Sequence, residues 1–312
     1  MPNLILHHYP NSPFSEKIRL ILGYKQLAWK SVVIPAIMPK PDVIALTGGY
    51  RKTPFLQIGA DIYCDTALIC DVLEHLQPMP TVYPEPEKGL ARILAQWADG
   101  TLFWAAMAYN FSPQGAAQMF AGAPPETGKA FAEDRAKMRL GVPRVGSADA
   151  AAAYKSYLRR LANMLDEQPY LLGHQACVAD FAAYHPLWFT RHCTSVMAGI
   201  LDATPAVLAW MDRMAAIGSA SEGSLKAGEA IAIAAGSAPA ALHDATFQDE
   251  HGIALGTRVT IASDSFGPEP SAGELVAATR LHYTLRRVDE RAGTLHVHVP
   301  RIGYVLRAVP VL

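Results

Sequence analysis

The chain has no pair of cysteines at a redox or metal-site spacing, no apolar run long enough to cross a bilayer, and no excess of charge. Its four cysteines, Cys64, Cys70, Cys177 and Cys193, are scattered over 312 residues. Their spacings fit neither a zinc nor a haem pattern, and so few thiols make no disulfide framework. Buried single thiols are the expectation. A formal net charge of −1 leaves out the basic footprint of a general nucleic-acid binder. Met1-Pro2-Asn3 carries no basic residue and Leu4-Ile5-Leu6 is short, so no signal peptide is expected. The longest mild candidate for a membrane span, Ala227 to Ala241, is interrupted by Glu229, Ser237 and Pro239. A span needs roughly 18–20 apolar residues. These absences point to a cytoplasmic protein with neither a membrane nor a nucleic-acid partner.

What is present is ample core material: 51% of residues are hydrophobic, in a chain long enough for two or three domains. Residues 3–9 read as a strand. Phe14, Ile18, Ile21 and Leu22 then form a helical stripe over 13–25, with Ser12 as N-cap and Pro13 at the first helical position. Trp29 to Ile34 reads as a second strand, which a crossover helix would make parallel to the first. A short helix is expected at Pro41–Leu46. Phe55–Ile58 and Ile62–Cys64, joined by Gly59-Ala60-Asp61, form a hairpin, and Asp65 caps a helix from Thr66 to Leu76. The order is βαβαββα over residues 1–77. Gln77 to Glu87 contains four prolines and reads as a linker. Residues 87–235 read as all-helical, with helices near 87–111, 126–140, 148–167, 178–195, 205–217 and 222–235. Breaks fall at Gly141–Ser147, Gln168–Cys177 and Asp202–Pro205. Residues 245–312 change character: short alternating segments at 257–262, 281–286, 294–299 and 304–308 suggest a small barrel or sheet, a β-barrel-like module.

The segments YPNSPFSEKIRLIL and RKTPFLQIGADIYCDTALICDVLEHL, and more weakly Leu172-Gly173 with Val178-Ala179-Asp180-Phe181, resemble the cytosolic glutathione transferase superfamily. The resemblance covers about three quarters of the chain and implies a thioredoxin-like domain followed by an all-helical one. The β-rich module lies outside it. It further implies glutathione as co-substrate, a small electrophile as second substrate, and a homodimer. By position, Ser12 falls where such enzymes touch the glutathione sulfur, with Ser15 the next hydroxyl. Thr53-Pro54 matches the step where the proline is cis and the preceding backbone pairs with the cysteinyl unit. Asp65-Thr66 matches the pair that holds the γ-glutamyl end, and Lys52 a basic residue near the peptide. The tyrosine used by other classes aligns with His8, not Tyr9. Cys177 stands where the family usually caps a helix with Ser or Thr, which weakens half of a capping box with Asp180.

Serine hydroxyls cannot form a disulfide, so SPFS is no two-cysteine redox site. A hydroxyl at a helix N-terminus can donate to an anion that backbone N–H groups and the dipole already favour. Lowering a thiol from about 8.5 by about two units takes roughly 2.7 kcal/mol. A hydrogen bond to a charged group supplies about 1.5–3 kcal/mol and the helix terminus about 0.3–1. Ser12 can therefore activate a thiol without ionising. It can equally be a plain N-cap. Asp65 and Thr66 have the same double reading, and Pro54 can be an ordinary strand-opening proline.

An acceptor pocket between the domains would be walled by Pro13, Phe14, Trp104, Met107, Ala108 and Phe111, although the last four share a helix face that serves a core equally well. His296 and His298 share a strand face, but no cysteine or carboxylate is clearly placed to complete a metal site, and none is expected. Arg280, Arg286, Arg287, Arg291, Arg301 and Arg307 with Tyr283 and Tyr304 give the final module a basic look, diluted by Glu269, Glu274, Asp289 and Glu290. It either packs on the body or mediates dimerisation, or it binds nucleic acid or an acidic partner. The alternative to an enzyme is a glutathione-binding scaffold acting through this module.

Overall fold

A computed structural model describes residues 2–139, 145–242, 247–248 and 250–310. The first unit is β1 (Leu4–His8), α1 (Pro13–Tyr24), β2 (Trp29–Val33), α2 (Pro41–Thr47), β3 (Phe55–Ile58), β4 (Asp61–Cys64) and α3 (Thr66–Leu76). β2 pairs with β1 in parallel; β3 pairs antiparallel with both β1 and β4. This is the expected βαβαββα order.

The helical part contains α4 (Lys88–Trp97), a π-helical turn at Ala98–Leu102, α5 (Phe103–Asn110), α6 (Pro113–Met119), α7 (Pro125–Met138), α8 (Ser147–Met164), α9 (Val178–Trp188) and α10 (Pro205–Ala215). The helix expected over 178–195 ends in a second π turn, Phe189–Cys193. Leu140 and most of the expected break at 141–147 lie outside the described residues. Asp180 makes its half of the capping box by accepting from the Cys177 N–H at 3.0 Å, and also ties down Leu171 and Trp210. Among the described residues, no helix is long and apolar enough to cross a membrane.

Two expectations need correction. Residues 221–224 are a strand, β5 (Ser221–Ser224), paired in parallel with β2, and only then comes α11 (Ala227–Ala235). The final module is no closed barrel. It consists of β6 (Arg258–Ser263), β7 (Ser271–Ala278), β8 (His282–Asp289), β9 (Gly293–Pro300) and β10 (Tyr304–Ala308), in an open antiparallel array. Its β9 pairs in parallel with β4, so one ten-stranded sheet runs β10-β6-β7-β8-β9-β4-β3-β1-β2-β5.

Strand alternation sorts side chains to two cores. Leu4, Leu6 and Leu56 face α1, α3 and the helical part, whose centre holds Tyr154, Phe181 and Trp210. Ile5, Phe55, Ile62 and Cys64 face the other way, where one apolar layer continues through Leu285, Leu295, Val297 and Val299 of the module. α11 seals this layer with Ala230, Ile231 and Ala234, and its Ala230 carbonyl accepts from Gln57 at 2.8 Å. The module is therefore built into the body.

Candidate active site

In the antiparallel registers His7 lies opposite Phe55, and Phe55 opposite Cys64. The chain leaving β1, entering β3 and leaving β4 therefore meets at one end of the sheet. Ser12, Thr53-Pro54 and Asp65-Thr66 come from those three places, and the Thr53-Pro54 bond is cis.

Ser12 is buried and caps α1, its Oγ accepting from the Ser15 N–H at 3.2 Å with Pro13 next in the helix. That bond uses a lone pair, so the hydroxyl proton is left for another acceptor. The Ser15 hydroxyl is fully buried and has no hydrogen-bond partner, and the Thr53 hydroxyl is likewise unpartnered. The turn before Ser12 is held by Arg19, which reaches Pro10 O, Glu16 and His8 Nδ1. Guanidinium only donates, so His8 Nδ1 accepts and its Nε2–H donates to Ser31 Oγ at 2.7 Å. Burial, reinforced by Arg19, pushes the His8 pKa down to about 4. His8 is thus neutral, with both ring nitrogens engaged. Tyr9 points elsewhere and accepts from Arg135 at 3.3 Å.

Asp65 has φ +77° and caps α3 through Oδ1, which accepts from Ala67 N at 3.0 Å. Its Oδ2 accepts from the Tyr304 hydroxyl at 2.8 Å. Tyr304 in turn accepts from Lys52 Nζ at 3.1 Å, and Lys52 also donates to Ser263 at 2.9 Å. Burial pulls the Lys52 pKa down, opposed by Asp65. Thr66 Oγ1 accepts from Lys17, a buried cation paired with Asp99 at 2.5 Å. Asp99 sits in the first π turn, which also brings it to His185 Nε2 at 2.9 Å. Lys17, Asp99, His185 and Tyr304 are thus neighbours of the expected site that residue spacing did not single out.

The expected pocket walls divide. Phe14 packs on Phe103 and His185, with ring centroids 4.7 and 4.5 Å apart. Trp104 turns toward the module, where Phe266 meets it edge-on at 5.0 Å. Met107 is buried in the helical core, Ala108 is half-buried, and Phe111 packs on Phe131 and Phe189. The loop between β6 and β7 crosses this region. Gly267 has φ +68°, its N–H donates to Met138 O at 2.8 Å, and a side chain there would press on Met138 and Lys52. Arg51 ties the same loop to α7, bonding Glu269 and Asp134 at 2.5 Å each.

Burial disfavours the thiolate at all four cysteines. Burial raises Cys64 strongly and pushes Cys70, Cys177 and Cys193 up to about 12.

Residues 6–81 match the family model for the N-terminal domain of glutathione S-transferases, and residues 147–217 that for the C-terminal domain. Among curated proteins there is no match. The crystal structure of a GST-like protein from Pseudomonas syringae is 40% identical, with TM-score 0.83, and the match covers 99% of this chain and 100% of that one. The β-rich module is thus part of what the two share. A glutathione S-transferase from Methylobacillus flagellatus KT with GSH bound matches at 18% identity and TM-score 0.51, over 70% of this chain and all of that one. The β-etherase LigF from Sphingobium sp. strain SYK-6 matches at 18% identity and TM-score 0.51, over 69% of this chain and 95% of that one. At such identities these two speak for the fold alone.

Proposed function

The chain belongs to the glutathione transferase superfamily, and from that premise we propose that it binds glutathione and uses the Ser12 hydroxyl to hold the sulfur as thiolate for attack on a small electrophile. The observation that carries this reading is the Ser12 hydroxyl at the start of α1, its proton uncommitted, at the sheet end that also holds cis Thr53-Pro54 and Asp65-Thr66. Thr53 would pair its backbone with the cysteinyl unit, and Asp65 and Thr66 would receive the γ-glutamyl end. Lys52 and Tyr304 border that end, so the module supplies one wall of the site. Ser15, with an unpartnered hydroxyl one turn on, is the reserve donor. The second substrate would enter beside Phe14 and Trp104, under the Phe266 loop. Two copies would associate through α4, whose Leu90 and Ile93 are 55% and 68% exposed.

The second reading is a non-catalytic glutathione-binding or scaffold protein acting through its C-terminal module, whose Tyr304 already stands between Lys52 and Asp65. A pH titration of glutathione thiolate absorbance in the presence of saturating protein separates the two. Activation predicts a bound thiol pKa well below about 8.5, returning upward in Ser12→Ala with little loss of affinity. Ser12→Gly controls for the lost cap, since glycine costs only a few tenths of a kcal/mol there. Binding with no shift supports the second reading. A fully active Ser12→Ala enzyme rules out the role given to Ser12.

A further inference from the structure

The parallel seam between β4 and β9 assembles a second site, remote in sequence from Ser12. Asp61 opens β4 opposite His296, and Tyr63 lies opposite His298. Period-two alternation puts Asp61, Tyr63, His296 and His298 on one face, while Ile62 and Val297 point to the apolar layer behind. The carboxylate that the sequence did not place beside the two histidines is Asp61, joined to His298 across 237 positions. Each of the three offers one ligand atom, a carboxylate oxygen or an imidazole nitrogen, and these atoms all lie within 4.8 Å of one another.

We propose that Asp61, His296 and His298 bind a divalent first-row transition-metal ion, zinc first among them. Asp61 Oδ1 is 2.8 Å from His298 Nε2 and 3.7 Å from His296 Nδ1. Donors of a tetrahedral zinc site, each about 2.0–2.1 Å from the metal, stand about 3.3 Å apart. Both Asp61 distances lie within about 0.5 Å of that spacing. The outer contacts are those such a site needs. The Ala240 N–H donates to Asp61 Oδ2 at 2.8 Å, leaving Oδ1 for the metal. Thr284 Oγ1 bonds His298 Nδ1 at 3.0 Å, and a hydroxyl serves either tautomer, so Nε2 can give up its proton to Nδ1 and take the metal. Tyr63 stacks on His298 at 4.5 Å and fixes its plane. His296 Nδ1 is the independent sign of a ligand: it is buried and unpartnered, too far from Asp61 for a hydrogen bond. An Asp61–His298 ion pair alone would leave that nitrogen unexplained. Two imidazoles exclude calcium and magnesium as natural occupants, and three protein ligands leave a fourth position for water or a small molecule.

The test uses the untagged full-length protein after chelator dialysis, titrated with Zn2+ by calorimetry and with Co2+ by visible absorption. One equivalent of each should bind, with tetrahedral cobalt bands and a raised melting temperature. His296→Ala removes a ligand whose Nδ1 holds nothing else, so it should fold normally by circular dichroism and bind at least about tenfold more weakly. His298→Ala should behave alike, and exposed His174→Ala should bind as the parent does. Failure of the parent to bind either ion, or full affinity in a folded His296→Ala protein, overturns the proposal.

Discussion

Tyr304, near the end of the chain, donates a 2.8 Å hydrogen bond to Asp65, the cap of α3. The same oxygen accepts from Lys52, whose ammonium also lies over the Tyr304 ring, 4.6 Å from its centroid. A residue of the added module thus stands between two groups expected to meet glutathione. Tyr304→Phe keeps the ring and removes the relay. It should cost about 1–3 kcal/mol of stability, the usual result of leaving buried partners unsatisfied, and it should tighten glutathione binding by freeing Asp65 for an ammonium end. Urea melts and calorimetry of the folded variant check both parts. Weaker binding would instead make the Tyr304 hydroxyl a contact for the peptide.

Lys17, Asp99 and His185 form a second buried network behind the site. Burial works against the Asp99 carboxylate, but Lys17, and after it His185, outweigh burial and hold its pKa below the usual range. Asp99→Asn leaves Lys17 in the interior without its counter-charge, and should cost about 3–5 kcal/mol. Lys17→Met should cost less if the methionine packs well. The carboxylate's contribution is complete above its unfolded pKa of about 4 and is lost only as pH falls through the lower folded value. Chemical denaturation of both variants at neutral pH tests the ranking.

His7 and His8 make stability depend on pH over a higher window. Burial lowers both to about 4, assisted at His8 by Arg19 and opposed at His7 by its 2.8 Å bond to Gln57. An unfolded histidine titrates near 6.5. Between those values the unfolded chain binds more protons than the folded one. Stability is therefore complete above about pH 6.5 and falls as pH drops toward 4, by up to about 1.4 kcal/mol per pH unit for each residue. Urea melts at pH 7 and pH 5 measure this slope. His7→Gln should flatten it, and an unchanged slope would show that other groups govern the acid limb.

The elements that local periodicity defines, α1, the β3–β4 hairpin and α3, were legible because capping residues and apolar spacing act within a few positions. β5 was not. Ser221–Ser224 is polar, and only its pairing with the edge of β2 makes it a strand. β7 was hidden by small residues. A side chain at Gly273 would meet Arg286 O at 2.9 Å and Leu285 Cβ at 3.0 Å, so close strand approach selects glycine against strand propensity. Ser12, Thr53 and Asp65 could be picked out only through the family resemblance of the segments that carry them, since local pattern alone reads Ser12 and Asp65 as helix caps. Tyr304, Asp99 and the Asp61 seam could not, since each depends on a sheet register or a π turn that joins distant segments.

That joining makes a definite statement about the module. β9 covers the open edge of β4, and the apolar layer behind Ile62 and Cys64 runs on without interruption to Leu285, Val297 and Val299. Removing residues 245–312 bares this edge and this layer together. Each large apolar side chain uncovered costs about 1.5–3 kcal/mol, and a handful approaches the roughly 5–15 kcal/mol that hold a typical domain folded. The truncated chain should therefore be insoluble, or melt without cooperativity, and should bind no glutathione. Expression, circular dichroism and thermal melts beside the full chain decide it. A truncated protein that melts sharply near the parent temperature would mean that the β4 edge is stable on its own, and the module's purpose would have to lie at Tyr304 or at the metal seam.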